Sequence, residues 1–338
     1  MNTSTTRLEK SAHNNTARLI GAAVMLMYTM ESPAGENTKE TYPSKPIRFI
    51  VGFPPGGGND MLARVIGQKL SEQIGRPVVI DNRPGAGGNL AAQLTAKSPP
   101  DGYTLLMISS SHPIQALLKK GLPYDPIADF AGVSQLVVYR SVLVTHPGVQ
   151  ANSVRDLIAL MNSRPGQINF VSSGNGSGSH LAGELFKNAA GVDITHVPYK
   201  GTAQAITDLI GGRVQLMFAP VQPVMPQVQA GKLRALGVTS RNRSRVMPDL
   251  PPISEAGLPG FEFVGWYGIL AAAGTAKSRL EKLNGEIIKI LSAADVVEKL
   301  HAEDMDIIKA TPDHLDAVRR ADLAKWTRIV RATGIQAD

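Results

Sequence analysis

Two glycine-rich loops carry the residues of this chain with the most evident chemistry. The first is Pro54–Asp60 and the second is Ser172–His180, and each lies between a strand-like run and a helix-like run. An α-helix leaves its first N–H groups without partners and places the positive end of its dipole there, so a helix that begins at such a loop attracts anions. The seryl hydroxyls of the second loop add donors that suit a carboxylate. The two loops therefore predict two lobes that grip one acidic small molecule.

The first loop has a purely structural alternative. Gly56, Gly57 and Gly58 could serve only to allow a tight strand-to-helix turn, and Asn59 or Asp60 could serve only to cap the helix. A nucleotide site is disfavoured, because no Lys-Ser or Lys-Thr pair follows the glycines and the G-x-G-x-x-G spacing is incomplete. The sequence leaves the anion-binding and structural interpretations open.

The second loop approaches two enzyme signatures without completing either. Gly174 and Gly176 lack the third glycine of a dinucleotide site, and Asp193 is a weak candidate for the ribose partner. His180 adjoins serines, but a G-x-S-x-G elbow would need glycine at Asn175. We expect His180 to hydrogen-bond the loop at the helix start, and we predict no catalytic residue. A nucleotide-dependent or serine-hydrolase-type enzyme is the alternative function.

Further candidate contacts stand at other strand ends and helix starts. Ser109 and Ser110 end a predicted strand, where open α/β sheets place ligands. Tyr199 and Lys200 precede a helix start and could reach a bound acid, and Tyr267 could line the cleft or simply pack in the core. The predicted ligand-binding residues are Phe53, Pro55, Gly56, Gly57, Gly58, Asp60, Asn89, Ser109, Ser110, Ser172, Ser173, Gly174, Gly176, Ser177, His180, Tyr199, Thr202, Ala219 and Pro220.

Both loops belong to one repeated pattern of strand, loop, helix, closing glycine and second strand. The first copy runs from Ile47 to Ile80 with its helix closed by Gly75, and the second runs from Ile168 to Val197, closed by Gly191. Each copy is a βαβ unit. The continuing alternation of strands and helices predicts parallel sheets with right-handed crossovers.

Two strands are predicted to connect the lobes and to form the hinge. Val133–Thr145 leaves the first lobe, and Phe261–Leu270 returns to it. We therefore predict an α/β fold with two lobes, each a mostly parallel sheet flanked by helices. Residues 43–141 with 263–338 form the first lobe, and residues 142–262 form the second.

The last predicted helix, Pro312 to about Thr333, carries an apolar stripe and a basic face. Trp326 belongs to the stripe, which we expect to face inward. Arg319, Arg320 and Lys325 form the basic face, which we expect to be solvated.

Composition excludes several classes of protein. The 338 residues contain no cysteine, which excludes disulfides, cysteine nucleophiles and thiolate metal sites. The seven histidines have no metal-ligand spacing, so neither a metal nor a cofactor is predicted. The net charge of +7 is dispersed, and its densest run, at Arg241, Arg243 and Arg245, has no interleaved aromatics. This pattern argues against nucleic-acid binding and suits a field that favours acidic solutes.

The N-terminus has the layout of a secretory signal. Arg7, Lys10 and Arg18 precede the apolar run Leu19–Met30, and small residues follow at 32–34. The apolar run is short for a membrane span. We predict that residues 1–34 are a signal peptide, with an N-terminal anchor as the alternative.

Several motifs resemble one family in their order and spacing. They are Phe53-Pro54-Pro55-Gly56-Gly57-x-x-Asp60, Asn82-x-x-Gly85-Ala86-Gly87-Gly88, Pro100–Leu106, Ser172–Glu184, Val197–Gly201 and Ala230–Leu236. From about Tyr42 to its C-terminus the chain resembles the extracytoplasmic solute receptors of tripartite tricarboxylate transporters, the Bug family. The resemblance implies a periplasmic two-lobed binding protein of the Venus flytrap type, which closes around a carboxylated solute and performs no catalysis.

The resemblance also implies contacts and partners. In the family the carboxylate is held mainly by the first glycine loop, partly through ordered water, and by the serine–glycine loop, roles that fall here on Pro55–Asp60 and Ser172–Ser177. The implied ligand is a dicarboxylate, tricarboxylate, amino acid or aromatic acid, and the implied partners are integral membrane subunits of the transporter. We expect a monomer that binds no nucleic acid. An interaction protein that recognises membrane subunits without a ligand is a third possibility.

Overall fold

The computed structural model describes residues 42–119 and 121–333. The predicted signal peptide, residues 1–34, lies outside the described residues. Within the described residues, no helix is both long enough and apolar enough to cross a lipid bilayer.

Strands and helices alternate along most of the chain. The strands are β1 (Ile47–Val51), β2 (Val78–Asn82), β3 (Thr104–Ser109), β4 (Phe130–Thr145), β5 (Asn169–Ser172), β6 (Thr195–Pro198), β7 (Leu216–Pro220), β8 (Arg234–Val238), β9 (Val264–Ala272) and β10 (Met305–Ile307). The helices are α1 (Gly58–Ile74), α2 (Asn89–Ala96), α3 (Gln115–Leu118), α4 (Val154–Ser163), α5 (Gly178–Ala190), α6 (Thr202–Ile210), α7 (Val221–Gln229), α8 (Ile253–Ala256), α9 (Lys277–Ile290), α10 (Ala294–Ala302) and α11 (Pro312–Thr333).

Both predicted βαβ units are confirmed. Strands β1 and β2 pair in parallel around α1, and β5 and β6 pair in parallel around α5. The two helices end at Gly75 and Gly191, whose φ angles of +63° and +62° are in the left-handed region. A glycine reaches that region at little steric cost, and so it closes each helix.

Each sheet has a parallel part, as predicted, and becomes mixed where the connecting strands join it. The first runs β2-β1-β3-β9-β4, with β10 also on β4, and the second runs β4-β7-β5-β6, with β8 also on β4. Pairing is parallel within β2-β1-β3 and within β7-β5-β6. It becomes antiparallel wherever β4 or β9 joins, because a strand that leaves one lobe and a strand that returns to it run in opposite directions.

Strand β4 connects the two sheets, as predicted for Val133–Thr145. Its residues up to Arg140 pair with β9, and those from Ser141 onward pair with β7 and β8. The predicted return strand begins later than expected, at Val264, and β9 pairs only within the first sheet. Phe261 and Phe263 precede it because their side chains pack in the core against the second sheet.

Separate apolar cores support the two sheets. Phe49, Ile66 and Ile287 belong to the core between the first sheet and helices α1 and α9. Phe170 and Phe218 belong to the core of the second sheet, which also includes Trp326 of α11. Through Trp326, helix α11 therefore contacts the core of the second sheet. The same helix also contacts residues in the first half of the chain. The lobe boundaries at residues 142 and 262 stay a prediction.

Arg319 contradicts the prediction of a solvated basic face on α11. Its side chain is buried, pairs with Asp316 and donates to the carbonyl oxygens of Pro126 and Ile127. Those carbonyls belong to a loop that covers the helix and need donors once buried. The other two predicted basic residues of that face are exposed.

Candidate functional site

A cavity of about 180 Å³ lies where the first turns of three helices meet. The sequence predicted all three helix starts, with the glycine-rich loops before α1 and α5 as the main anion sites and with Thr202 at α6 as a further contact. The first-turn residues and caps that line the cavity are Gly57, Gly58 and Asn59 at α1, Ser177, Gly178 and Ser179 at α5, and Gly201, Thr202, Ala203 and Gln204 at α6. Three sets of unpaired helix N–H groups and three positive dipole ends therefore converge on one small space.

At α1, the cap residue Gly57 makes no side-chain capping hydrogen bond. The Asp60 carboxylate instead turns back to the loop, where it accepts from the Gly56 N–H at 3.1 Å and from Asn82 Nδ2 at 2.9 Å. Arg64 Nε also donates to it at 2.9 Å. Asp60 does not line the cavity, because its oxygens hold the shape of the glycine loop.

These bonds make the stabilisation by Asp60 dependent on pH. Burial raises the pKa of its carboxyl group, but the hydrogen bonds from Arg64, Asn82 and Gly56 outweigh burial and lower the pKa below 3.8. The stabilisation is therefore complete above that ordinary value and is lost as pH falls through the lower pKa of the folded state. We expect Asp60→Asn to lower the free energy of unfolding by about 1 kcal/mol at neutral pH.

Urea unfolding at a series of pH values checks this prediction. The difference between the parent and Asp60→Asn should shrink as pH falls below 3.8 and through the lower pKa of the folded state, because the parent carboxylate is then protonated as well. A difference that keeps its full size at the acidic end would show that the charge of Asp60 does not hold the loop.

At α5, three serine hydroxyls face the cavity. Ser179 Oγ lies 3.3 Å from Ser173 Oγ and 3.0 Å from Ser177 Oγ, and it accepts the Ser173 N–H at 3.0 Å. Three hydroxyl hydrogens serve two contacts between serines, so at least one hydrogen remains for an anion in the cavity.

His180 supports this loop from behind, as expected from its place at the helix start. Its Nδ1 accepts the Gly176 N–H at 3.0 Å, and its ring stacks on His196 at 4.0 Å between centroids. Burial, with a contribution from His180, lowers the pKa of His196 to about 3, so His196 is neutral near pH 7. His196 Nε2 is 2.7 Å from Ser172 Oγ, but that serine is fully buried and does not line the cavity.

At α6, the helix begins after Gly201 without a side-chain cap. A Cβ at Gly201 would lie 3.4 Å from Pro54 Cγ, so the two loops approach each other closely. Lys200, which the sequence marked as able to reach an acid, lines the cavity. Tyr199 donates its hydroxyl to Asp208 Oδ2 at 2.6 Å and faces the neighbouring larger cavity.

Tyr139 and Tyr267 line the cavity from the connecting strands β4 and β9. Their rings stack at 4.6 Å between centroids. Gly265 lies opposite Tyr139 and makes room for it, since a Cβ there would lie 2.3 Å from the ring. Burial raises the pKa of Tyr139 to about 12 and also raises that of Tyr267 well above its ordinary value, so both phenols stay protonated donors. Sequence reasoning missed Tyr139, whose available signal was its position on a predicted crossing strand.

The predicted ligand-binding residues fall into three groups. Those that line the small cavity are Phe53, Pro55, Gly56, Gly57, Gly58, Ser109, Ser173, Ser177, Thr202 and Pro220. Those that line only the adjoining larger cavity are Asn89, Gly174 and Tyr199. Those that lie behind the lining, all buried, are Asp60, Ser110, Ser172, Gly176, His180 and Ala219.

The charge around the small cavity is positive. Among the described residues that line it, Lys200 carries a charge and none is acidic. Across residues 42–119 and 121–333, no group of three or more histidine, aspartate or glutamate side chains is placed so that it could hold a metal ion. The cavity therefore offers backbone amides, hydroxyls and one ammonium group, which together suit an organic anion.

Comparisons with known proteins place the chain in one family. The model of the tripartite tricarboxylate transporter family receptor matches residues 62–335. Protein BugT of Bordetella pertussis strain Tohama I is 37% identical over 322 residues, which cover 95% of this chain and 98% of that protein.

Solved structures show the same fold with acids bound. The structure of R. palustris Rpa4515 with adipate has a TM-score of 0.84 and 35% identity, and covers 87% of this chain and 99% of that one. MatC (Rpa3494) from Rhodopseudomonas palustris, with bound malate, has a TM-score of 0.81 and 30% identity over 86% of this chain and 100% of that one. The chain thus has the two-lobed α/β fold of these binding proteins, and it belongs to the tripartite tricarboxylate transporter receptor family, in the Bug group that its motifs predict.

Proposed function

We propose that this protein is a periplasmic receptor that captures a small carboxylated acid between two lobes and delivers it to a membrane transporter. It performs no catalysis. The observation that carries the proposal is the convergence of three helix starts on a cavity with one lysine and no acidic side chain among its described lining residues. Family membership supports it, as do the relatives with adipate and malate.

The size and chemistry of the cavity fit such a ligand. Its volume of about 180 Å³ equals that of roughly six water molecules, which suits a compact organic acid. A hydrogen bond to a charged group stabilises by about 1.5–3 kcal/mol, and a helix terminus by up to about 2 kcal/mol. A few such contacts reach the roughly 8 kcal/mol of micromolar binding.

Contacts across the cleft support closure of the lobes around the acid. Gln115 Nε2 donates to the carbonyl oxygen of Gly176 at 3.3 Å, and the Asn175 carbonyl oxygen would lie only 2.5 Å from a Cβ at Gly87. Opening would break these contacts while β4 and the segment 261–263 keep the lobes connected. We infer that these two connections are the hinge.

Thermal-shift measurements test the function directly. Dicarboxylates such as malate or adipate should raise the unfolding temperature of the mature protein, and calorimetry should then give an affinity near micromolar. Stabilisation by NAD or ATP in place of the acids would favour the enzyme alternative. The absence of any shift with carboxylates would overturn the proposal.

Ser173→Ala tests whether the serine loop contributes to acid binding. The variant removes one hydroxyl from the three that face the cavity, and we expect acid affinity to fall at least about tenfold, as for one hydrogen bond of about 1.5 kcal/mol to a charged group. Ser163→Ala is the matched control, because Ser163 is exposed and bonds only the Leu160 carbonyl in its own helix. Isothermal calorimetry measures both, and equal affinities would remove the serine loop from the site.

A further inference from the structure

A third cavity, of about 20 Å³, adjoins the small cavity at the start of α1. The turn Gly56–Gly58, Tyr139 of β4 and Thr202 of α6 line both spaces. The third cavity is also lined by Arg140 and Glu303, which do not line the small one. A charge on either of these two side chains therefore acts across a shared wall on an anion in the small cavity.

Each of these two side chains has a buried polar atom that lacks a hydrogen-bond partner. Arg140 Nε and Glu303 Oε2 are shielded from solvent and make no hydrogen bond within residues 42–119 and 121–333. The Arg140 side chain is only 10% exposed, and its terminal nitrogens pair with Asp304 and Asp306. The positive charge of Arg140 is thus already balanced by two other carboxylates, and Glu303 Oε2 faces the third cavity without a partner of its own.

The surroundings of Glu303 disfavour its ionised form. Glu303 directly follows α10, and its N–H bonds the Lys299 carbonyl, so the residue stands at the negative end of the helix dipole. Burial raises the pKa of its carboxyl group above 4.5, and the charge of Lys299 offsets only part of that rise.

The other elements around the third cavity add little positive charge. Strand β4 contributes Arg140, which is paired, and Tyr139, whose raised pKa keeps it neutral. Asp304 and Asp306, before and within β10, add negative charge beside Arg140. The described lining residues from α1, α6 and α7 carry no charge.

A carboxylate held at the three helix starts would add a further negative charge across the shared wall. Like charges disfavour each other's ionisation, so the bound acid favours the protonated, neutral form of Glu303. From this geometry we propose that Glu303 takes up a proton from the solvent, onto Oε2, when the acid binds, and that the receptor captures the acid and the proton together. This inference rests on the proposed function, since it needs an acid in the small cavity.

The coupling is reciprocal, which gives the direction of the pH effect. If the bound acid favours a proton on Glu303, a proton on Glu303 favours the bound acid by the same factor. Affinity for the acid should therefore rise as pH falls from 7 towards the raised pKa of Glu303.

Glu303→Gln tests the proposal, since glutamine keeps the shape of the side chain and removes its charge. The variant should bind malate about fivefold more tightly than the parent at pH 7, as for the loss of one like charge across a partly hydrated wall. This advantage should shrink as pH falls, because Glu303 of the parent is then protonated as well. Glu298→Gln is the matched control, because Glu298 is exposed on the same helix and lines none of the three cavities.

Calorimetry in two buffers of different ionisation enthalpy counts the protons taken up with malate. The parent and Glu298→Gln should take up a few tenths of a proton more than Glu303→Gln at mildly acidic pH. The subtraction removes the protons that malate itself exchanges, which are the same for all three proteins.

The outcomes separate this inference from the proposed function. Equal proton counts in the parent and Glu303→Gln, or equal malate affinities at every pH, would overturn the proton uptake and leave the receptor function standing. Failure of both malate and adipate to bind the parent would overturn both.

Discussion

Gly57→Asp is expected to abolish acid binding while leaving the fold as stable as that of the parent. Gly57 caps α1 with φ −93° and ψ 171°, an extended backbone that any residue adopts, and a Cβ there would have no heavy atom within 4 Å. Aspartate is a preferred helix cap, so stability should stay constant or rise by a few tenths of a kcal/mol.

The carboxylate introduced by Gly57→Asp would occupy the space in which the ligand carboxylate is expected to bind. It would accept the free N–H groups of the first turn of α1 and repel a ligand carboxylate by about 4 kcal/mol, the interaction of two charges at about 4 Å in a partly hydrated site. We expect affinity for any bound dicarboxylate to fall by more than about 100-fold in calorimetry.

Gly57→Asn separates charge from bulk, since asparagine has nearly the same shape and is also a good cap. This variant should bind acids far better than the aspartate variant. Equal losses in both would mean that Gly57 is required for space and not for its positive surroundings. Unchanged binding in Gly57→Asp would place the carboxylate elsewhere.

Local sequence signals were sufficient to predict the two βαβ units. The closing glycines Gly75 and Gly191 end helices whose apolar periods are visible in the sequence, and the loops before them mark the helix starts. Ser153 likewise caps α4, where its Oγ accepts the Asp156 N–H. Each of these features depends on residues within a few positions of one another.

The remaining parts of the site depend on distant residues. Tyr139 reaches the cavity because β4 pairs with β9 and Gly265 leaves space for its ring, a register that no local pattern encodes. Arg319 is buried because carbonyls almost 200 residues earlier in the chain cover α11. The start of α6 was predicted, with Thr202 as a contact, but its approach to the other two helix starts depends on the packing of α6 against the second sheet.

Asp304→Asn is expected to cause a large loss of stability at the junction of the sheets. The Asp304 side chain is fully buried and accepts from Arg140 Nη1 at 2.6 Å and from the Arg245 N–H at 3.0 Å. Arg140 lies where β4 passes from the first sheet to the second, and Arg245 follows β8. The carboxylate therefore ties the connecting strand to the loop after β8.

Asparagine is a well-chosen replacement because position 304 has φ +56°, a left-handed conformation that asparagine adopts more readily than most residues. The substitution leaves Arg140, whose side chain is only 10% exposed, without one of its two anionic partners. Removal of one member of a buried ion pair costs about 3–5 kcal/mol, and the remaining pair with Asp306 places the expected loss near about 3 kcal/mol. Asp306→Asn is the control, because that carboxylate is 36% exposed and should cost about 1 kcal/mol or less. Urea unfolding of the three proteins measures both losses, and losses of the same size would show that burial of Asp304 does not set the strength of this junction.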